Sequence, residues 1–549
     1  MTRTLQTAAI AAAICQIITA APKVSRDLGE VPPDASVNVV IQYKSAPTTK
    51  DHAKVQALGG QLRTTLGLVK AGVYTIAAGK IAQLAADSDV TYVSLDRPVR
   101  TYLDLTTASV GATVARSNGW TGSGVGIAIL DSGIDYVQDL GDHIVYDECF
   151  TNKCAAGDKY GHGTHVAGIA AGRGASSSGK YSGVAPGAAL ISLKVLDDTG
   201  AGTDSTVIAG IQRAIDLRQK YNIRVLNLSV GRPVFESFLN DPLCLAVEAA
   251  WKAGIVVVAA AGNNGRDGYG TITAPGNDPY VITVGAMKTA GTPTTADDTI
   301  ASYSSKGPTE MDHIMKPDLV APGNLVVSDT PVRASALEKN YPANIVDHSY
   351  IRLSGTSTAA PVVSGAAALL LQKRPALNPD QVKAILMLTA RKLPPVATYA
   401  TDPTTGQTYA SMNDVFTVGA GHLQVDAALA LNDIPPANSR ALSGLTVVDP
   451  VAAQVIAVPD PASACADPTV SGNSAVWGTL CSSSAVWGSS AVWGSSAVWG
   501  SSAVWGSSAV WGSSAVWGAA VFVYPSAASG IPITPNPVTA EAILISGEK

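Results

Sequence analysis

Charge is scarce in this sequence. Of its 549 residues only 14% are Asp, Glu, Lys or Arg, against roughly 25% in ordinary soluble domains. The 37 basic residues nearly balance the 42 acidic ones, for a formal net charge of -5, so composition offers no basic surface to a nucleic-acid partner. Long apolar runs are as rare. Residues 254–262 (GIVVVAAAG) are too short to span a bilayer. An uncharged, apolar stretch near that length at the N-terminal end, 4–21, is rich in Ala, is broken by Gln6 and Gln16 and follows Arg3. It reads as a secretory signal peptide over residues 1–21, with a frayed N-terminal helix as the plainer alternative. Cysteine is sparse at six. Export would remove Cys15 and leave an odd number, at least one of them unpaired within the chain. Cys149 and Cys154 are near enough to bridge in a loop, Cys465 and Cys481 bracket the start of a repeat, and Cys244 in an apolar helical segment reads as a buried free thiol.

What is present is apolar and segmented. Hydrophobic residues make up 46% of the chain, which excludes disorder for most of it. Residues 36–103 read as a small α+β unit, with strands over 37–43, 72–78 and 90–95 and helices over 51–58 and 80–86, two helices on one antiparallel sheet. From 105 the pattern changes to short continuous apolar runs, at 126–130, 189–196, 225–230, 255–261 and 280–286, alternating with helical stretches rich in Ala and Gly. Continuous runs between helices indicate a parallel sheet covered on both faces. This region is expected to close near Asn432, and 433–472 reads as a Pro-rich linker. Residues 473–518 then repeat A-V-W-G-S-S, with Trp477, Trp487, Trp493, Trp499, Trp505, Trp511 and Trp517, and 519–549 form a tail. A period of six places every Trp on one face of an extended chain and scatters them around a helix. Both a packed or surface-binding β array and a sticky low-complexity linker fit.

Four segments carry chemistry. In VGIAILDSGID, Asp131 ends a doubly buried strand and precedes a turn, where α/β sheets place their sites, although a lone Asp there also reads as a turn or cap. In YGHGTHVAGIAAG, His162 lies between two glycines that allow close approach of other backbones. His165 three residues on invites a zinc reading, but no adjoining Glu completes a metalloprotease pattern. In RLSGTSTAAPVVSGAAALLL, Ser357 opens a helix of small and apolar side chains, with Pro361 expected in its first turn. The dipole of that helix favours negative charge beside the hydroxyl, as a tetrahedral oxyanion needs; alone, Ser357 would read as a cap. In IVVVAAAGNNG, Asn263 offers an amide donor at a strand end, or else a turn residue.

Taken together and in this order, the four segments resemble the subtilisin-like serine proteases, and the likeness extends through SLKVLDDTGAG, VLNLSVG, TAPGNDPYVITVGA, SYSSKGP and KPDLVAPG. The chain order and the lack of a G-x-S-x-G elbow exclude an α/β-hydrolase. The resemblance implies an α/β fold with a doubly wound, mostly parallel sheet over 105–432. It implies Ser357 as nucleophile, His162 as base and then acid, Asp131 as the group that orients the imidazole, and Asn263 as oxyanion donor. It further implies an extended polypeptide substrate held between Ser229, Val230, Gly231 and Gly200, Ala201, Gly202, with an uncharged specificity pocket of Val230, Ala260, Gly262 and Thr273. No cofactor is required for that chemistry. Members of the family often bind structural calcium, yet residues 172–188 contain no Asp- or Asn-rich loop, and no ligand is assigned. Residues 36–103 resemble the subtilisin propeptide, a ferredoxin-like α+β domain that acts as folding template and inhibitor. The expectation is a secreted or cell-surface endopeptidase made as a self-processed zymogen, cut within 100–107, its Trp repeats serving attachment or self-association. The rival is an adhesive surface protein that keeps a protease fold.

Overall fold

The computed structural model describes residues 31–95 and 105–449, apart from positions 67–69, 153, 155–156, 291, 293–294, 333–334 and 403–404, together with 23–24, 28, 454–458 and 548. The signal-peptide segment, most of the expected cleavage segment, Cys465, Cys481 and the Trp repeats lie outside the described residues. The chain divides into two compact units, Met1–Thr101 and Tyr102–Lys549.

The first unit is a βαββαβ fold: β1 (Ser36–Tyr43), α1 (Thr49–Ala57), β2 (Gln61–Leu66), β3 (Ala71–Ala77), α2 (Ile81–Ala85) and β4 (Val90–Leu95). Its antiparallel sheet has the order β2-β3-β1-β4, the ferredoxin-like arrangement. In β1 the alternate residues Val39, Ile41 and Tyr43 are buried, as a half-covered strand requires. They pack with Val55 of α1, Tyr74 and Ile76 of β3 and Ile81 and Leu84 of α2. Helix α1 starts at a capping box in which the Thr48 amide and hydroxyl both donate to Asp51 Oδ2, at 2.9 and 2.8 Å. Strand β2 was not expected: every residue in QLRTTL is exposed, so an edge strand without a buried face leaves no apolar alternation to read.

The second unit is built on a sheet of order β11-β10-β9-β8-β5-β7-β6, with β12 also paired to β10. Its strands are β5 (Gly126–Asp131), β6 (Ile144–Cys149), β7 (Ala189–Lys194), β8 (Ile223–Leu228), β9 (Val256–Ala260), β10 (Ile282–Lys288), β11 (Thr299–Ile300) and β12 (Leu319–Pro322). All pairings are parallel except β10 with β11. The longer helices are α3 (His162–Ala171), α4 (Asp204–Leu217), α5 (Pro242–Lys252), α6 (Thr356–Lys373) and α7 (Pro379–Thr389). Side chains of adjacent strand residues point to opposite faces. Leu130 meets α4, where a Cβ at Gly210 would stand 3.2 Å from its Cδ2, and Asp131 meets α3, where a Cβ at Gly163 would stand 3.1 Å from its Cβ. The sheet is therefore covered on both sides, which explains why all six residues of β5 are buried. Helix α6 packs on α3, β8, β9 and β10 and is buried without interruption from Thr356 to Leu371. The expected Cys149–Cys154 disulfide is formed, and Cys244 is a buried free thiol.

Two expectations need correction. Pro361 is the sixth residue of α6, beyond the first turn, so the helix does lose a bond there. An amide at 361 would donate to the Ser357 carbonyl; the Ser229 hydroxyl does so instead, at 2.7 Å. Nor does the packed unit end at Asn432. Ala441 belongs to the core, the Met315 amide donates to the Gly444 carbonyl at 2.7 Å, and Ser443 Oγ donates to Asp318 Oδ1 at 2.6 Å. Asp318 is the buried partner of both Lys316 and Lys383. Burial pulls the Lys383 ammonium down to about 7, with the Asp318 charge opposing that fall. Ser443 also accepts from Lys383, at 2.9 Å, so it completes the cluster. The prolines at 435 and 436 punctuate a strap that lies on the unit and do not start a free linker.

Candidate active site

Three elements deliver the reactive groups to one point. Asp131 is the last residue of β5, which lies between β7 and β8. The strands that follow fall on both sides of β5, with β6 and β7 on one and β8 to β10 on the other, which makes the carboxyl ends of these strands a topological switch point. His162 is the first residue of α3 and Ser357 the second of α6. His162 Nδ1 lies 2.8 and 2.9 Å from the two Asp131 oxygens, and His162 Nε2 lies 3.1 Å from Ser357 Oγ. The Ser132 amide donates to Asp131 Oδ1 at 2.8 Å. With the carboxylate accepting at Nδ1, the imidazole proton sits there and Nε2 is left as the acceptor facing the serine. Burial draws the His162 pKa down, but the charge and hydrogen bond of Asp131, with the charge of Asp158, outweigh it and hold the value above the usual histidine range.

The close approach of α3 to β5 depends on Gly163, since a Cβ there would stand 2.1 Å from the Gly133 carbonyl oxygen. Asp158, which sequence reasoning missed, fixes the start of α3. Its Oδ1 accepts from Ser132 Oγ and the Gly161 amide, and its Oδ2 from the Thr164 amide and hydroxyl, all within 2.8–2.9 Å. Burial raises the Asp158 pKa against the pull of those donors. The available signal was an Asp a few residues ahead of a helix start, where a carboxylate can accept from first-turn amides. His165 is fully buried and its Nε2 lies 3.1 Å from the Val326 carbonyl. Burial, with the nearby His162 charge, lowers its pKa to about 3, so it stays neutral. Among the described residues no cluster of His, Cys, Asp and Glu could hold a metal ion.

Asn263 stands past the end of β9. Its Oδ1 accepts from the Thr356 amide and hydroxyl, at 2.9 and 3.1 Å. Two donors on one side fix the orientation of the carboxamide and leave Nδ2 as the outward donor. The geometry at Gly355 locates that donor: a Cβ there would lie 3.0 Å from Ser357 Oγ and 3.3 Å from Asn263 Nδ2. Gly355 has φ +149 and keeps this space open. Thr356 was also missed, and it binds in both directions, since its hydroxyl accepts from the Gly262 amide at 3.1 Å. Beneath it a buried chain runs from Ser364 through Asn227 to Ser229 and the Ser357 carbonyl, with steps of 2.8, 2.9 and 2.7 Å.

His162, Asn263 and Ser357 open on a cleft of about 950 Å³ that is also lined by Gly200, Ala201, Gly202, Ser229, Val230 and Gly231. Its charged rim is paired: Arg232 Nε lies 2.8 Å from Asp204, and Lys194 Nζ 2.9 Å from Asp198. Ala260, Gly262 and Thr273 gather beside Asn263 without lining this cleft. The Thr273 amide donates to the Ala261 carbonyl at 3.0 Å, and a Cβ at Gly262 would meet the Thr273 side chain at 2.7 Å.

A carboxylate, an imidazole and a hydroxyl in file, beside a fixed amide donor and an open groove, are equipment for acyl transfer. Residues 122–421 match the subtilase family model, and the chain belongs to that family. It is a serine endopeptidase of the subtilisin class. Among its relatives are the serine protease AprX of Bacillus subtilis, 41% identical over 55% of this chain and 70% of its own length, and subtilisin E of the same organism, 34% identical over 64% and 85%. A subtilisin of Bacillus pumilus is 38% identical over 52% of this chain and 90% of its own.

Proposed function

We propose that Ser357, His162 and Asp131 hydrolyse peptide bonds as one unit through an acyl-enzyme. The unbroken hydrogen-bonded path from Asp131 to Ser357 Oγ carries this reading. Ser357 Oγ attacks the scissile carbonyl as its proton passes to His162 Nε2. The carbonyl oxygen becomes an oxyanion that accepts from Asn263 Nδ2 and from the Ser357 amide, a first-turn amide without an intrahelical acceptor. His162 then protonates the leaving amine, and water repeats the sequence to release the acid. Asp131 keeps its charge throughout and stabilises the imidazolium. Loss of one such donor costs about 10²- to 10³-fold in kcat, a figure established in a subtilisin and not obtained from this molecule. No cofactor enters these steps.

The substrate is an extended polypeptide. Backbone groups of Gly200–Gly202 and Ser229–Gly231 pair with it as strands would, and the small uncharged residues around Val230 favour an uncharged side chain on the acyl side of the cut. The βαββαβ unit is an inhibitory propeptide that the enzyme removes from itself, a role supported by its ferredoxin-like strand order. The enzyme is secreted or held at the cell surface; the Cys149–Cys154 disulfide supports an oxidising destination. The Trp repeats serve association with surfaces or with other copies.

A serine-directed fluorophosphonate tests the nucleophile. It should add to Ser357 in the native protein and fail to label Ser357→Ala. Labelling of another serine, with Ser357 untouched, would remove the assignment.

A further inference from the structure

Away from the cleft, a buried acceptor set in the catalytic unit holds one residue from far along the chain. Glu548 lies beyond the repeats in sequence, and its side chain is fully buried against that of Arg266. Arg266 Nη2 donates to Glu548 Oε1 at 2.9 Å, and the Ser302 amide donates to Oε2 at 2.9 Å. Ser302 Oγ also bonds Oε1. Because Ser302 Oγ accepts from Arg266 Nε at 3.1 Å, its single proton is committed to the Glu548 carboxylate. Three donors thus converge on two oxygens, an arrangement that suits a carboxylate and sets a carboxamide N–H₂ against a donor. Lys288 and Lys306 are nearby: burial lowers both of their pKa values, and the Glu548 charge opposes that fall.

The main chain of Glu548 is held as well. Asn324 Nδ2 donates to its carbonyl at 2.9 Å, and its amide donates to Asn324 Oδ1 at 2.8 Å. One carboxamide so takes both backbone groups of one residue, as a neighbouring strand would. Arg266 has partners besides Glu548: it is paired to Asp402 and lies over the Tyr409 ring at 4.5 Å.

We propose that Arg266, Ser302 and Asn324 form a peptide-docking site for the chain's own Glu548 segment, selective for glutamate. The site fastens the sequence beyond the repeats to the unit that also holds β13 (Leu445–Asp449) and β14 (Gln454–Val458), ahead of them. Sequence on both sides of the repeats is then held on the same unit. The site also adjoins the catalytic loops: the Gly323 carbonyl, next to Asn324, accepts from the Gly355 amide at 2.8 Å and from Thr358 Oγ1 at 3.0 Å.

The experiment uses the full chain with Ser357→Ala, to prevent self-digestion, and a labelled synthetic peptide of residues 542–549. With Glu548→Ala added, the vacated site should bind the peptide in trans at about 1 mM or tighter, the scale at which a tether of this kind operates. The chain with Glu548 intact should bind it at least tenfold more weakly, and a peptide with Gln in place of Glu should lose a similar factor. Equal binding of the Glu and Gln peptides, or no binding by a folded Glu548→Ala chain, overturns the proposal. Should Glu548→Ala not fold, hydrogen exchange on the chain with Glu548 intact decides. Slow exchange of the Ser302 and Glu548 amides supports docking, and solvent-like exchange of both overturns it.

Discussion

The two units solve the burial problem at different scales. In the first, one small core of Val39, Ile41, Tyr43, Tyr74, Ile76 and a few neighbours supports a four-stranded sheet, and β2 contributes no buried residue. In the second, β5 is buried along its whole length and α6 from Thr356 to Leu371, and the core is continuous from Val110 to Ala441. A unit of the smaller size buries a lower fraction of its surface and is marginal by itself. The larger one can hold a buried Asp131 and His162, because its surroundings fix both groups without further help. The contrast fits an N-terminal unit that serves for a time and a catalytic unit that must resist its own activity.

The largest expected effect is the disappearance of the first unit. N-terminal sequencing of the purified enzyme should find a new terminus within residues 100–107, and the processed form should be the active one. A fully active protein that begins near residue 22 would make the first unit a permanent domain. The next test makes the same change in both units. Ile41→Ala and Ile127→Ala each delete a fully buried side chain, at a cost of about 2–5 kcal/mol. In the Ser357→Ala chain, urea unfolding should show the first unit lost at low denaturant after Ile41→Ala, while Ile127→Ala shifts a second transition that remains cooperative. A single shared transition in both variants would erase the distinction. The smallest effect is in pH. His162 is active when neutral and its pKa is raised, so a larger share is protonated at neutral pH than in a free histidine. The acid limb of kcat/KM should rise with pH through a midpoint above about 6.5, the ordinary histidine value. A midpoint well below it would mean that burial, not Asp131, dominates the site.

The legibility of the sequence differs between the units for related reasons. Continuous apolar runs mark β5, β7, β8, β9 and β10, because a sheet covered on both faces admits no polar alternation. Strand β2 and the edge strand β6, with its alternately exposed IVYDEC, lack such runs and went unread. At the site, Asp131, His162, Asn263 and Ser357 were legible through the resemblance of their four segments, in this order, to the subtilisin-like proteases; taken singly, each also reads as a turn, cap or structural residue. Asp158, Thr356 and Asn227 were not, since what they do depends on partners 26 to 137 positions away or on a turn that only the folded chain forms. The boundary at Asn432 was drawn from proline content. The Ser443 hydroxyl, buried between Asp318 and Lys383, contradicts it through contacts that composition does not encode.

The most direct measurement is peptide hydrolysis by Ser357→Ala, His162→Ala and the double variant, each processed to the same terminus by a trace of native enzyme. Groups that act as a unit are strongly non-additive, and in a subtilisin either single loss costs roughly 10⁶-fold in kcat. Each single variant here should lose a comparable factor, and the double variant should be no slower than the worse single within about tenfold. Losses that multiply in the double variant, or near-native turnover by Ser357→Ala, would contradict a triad in which His162 works only through Ser357.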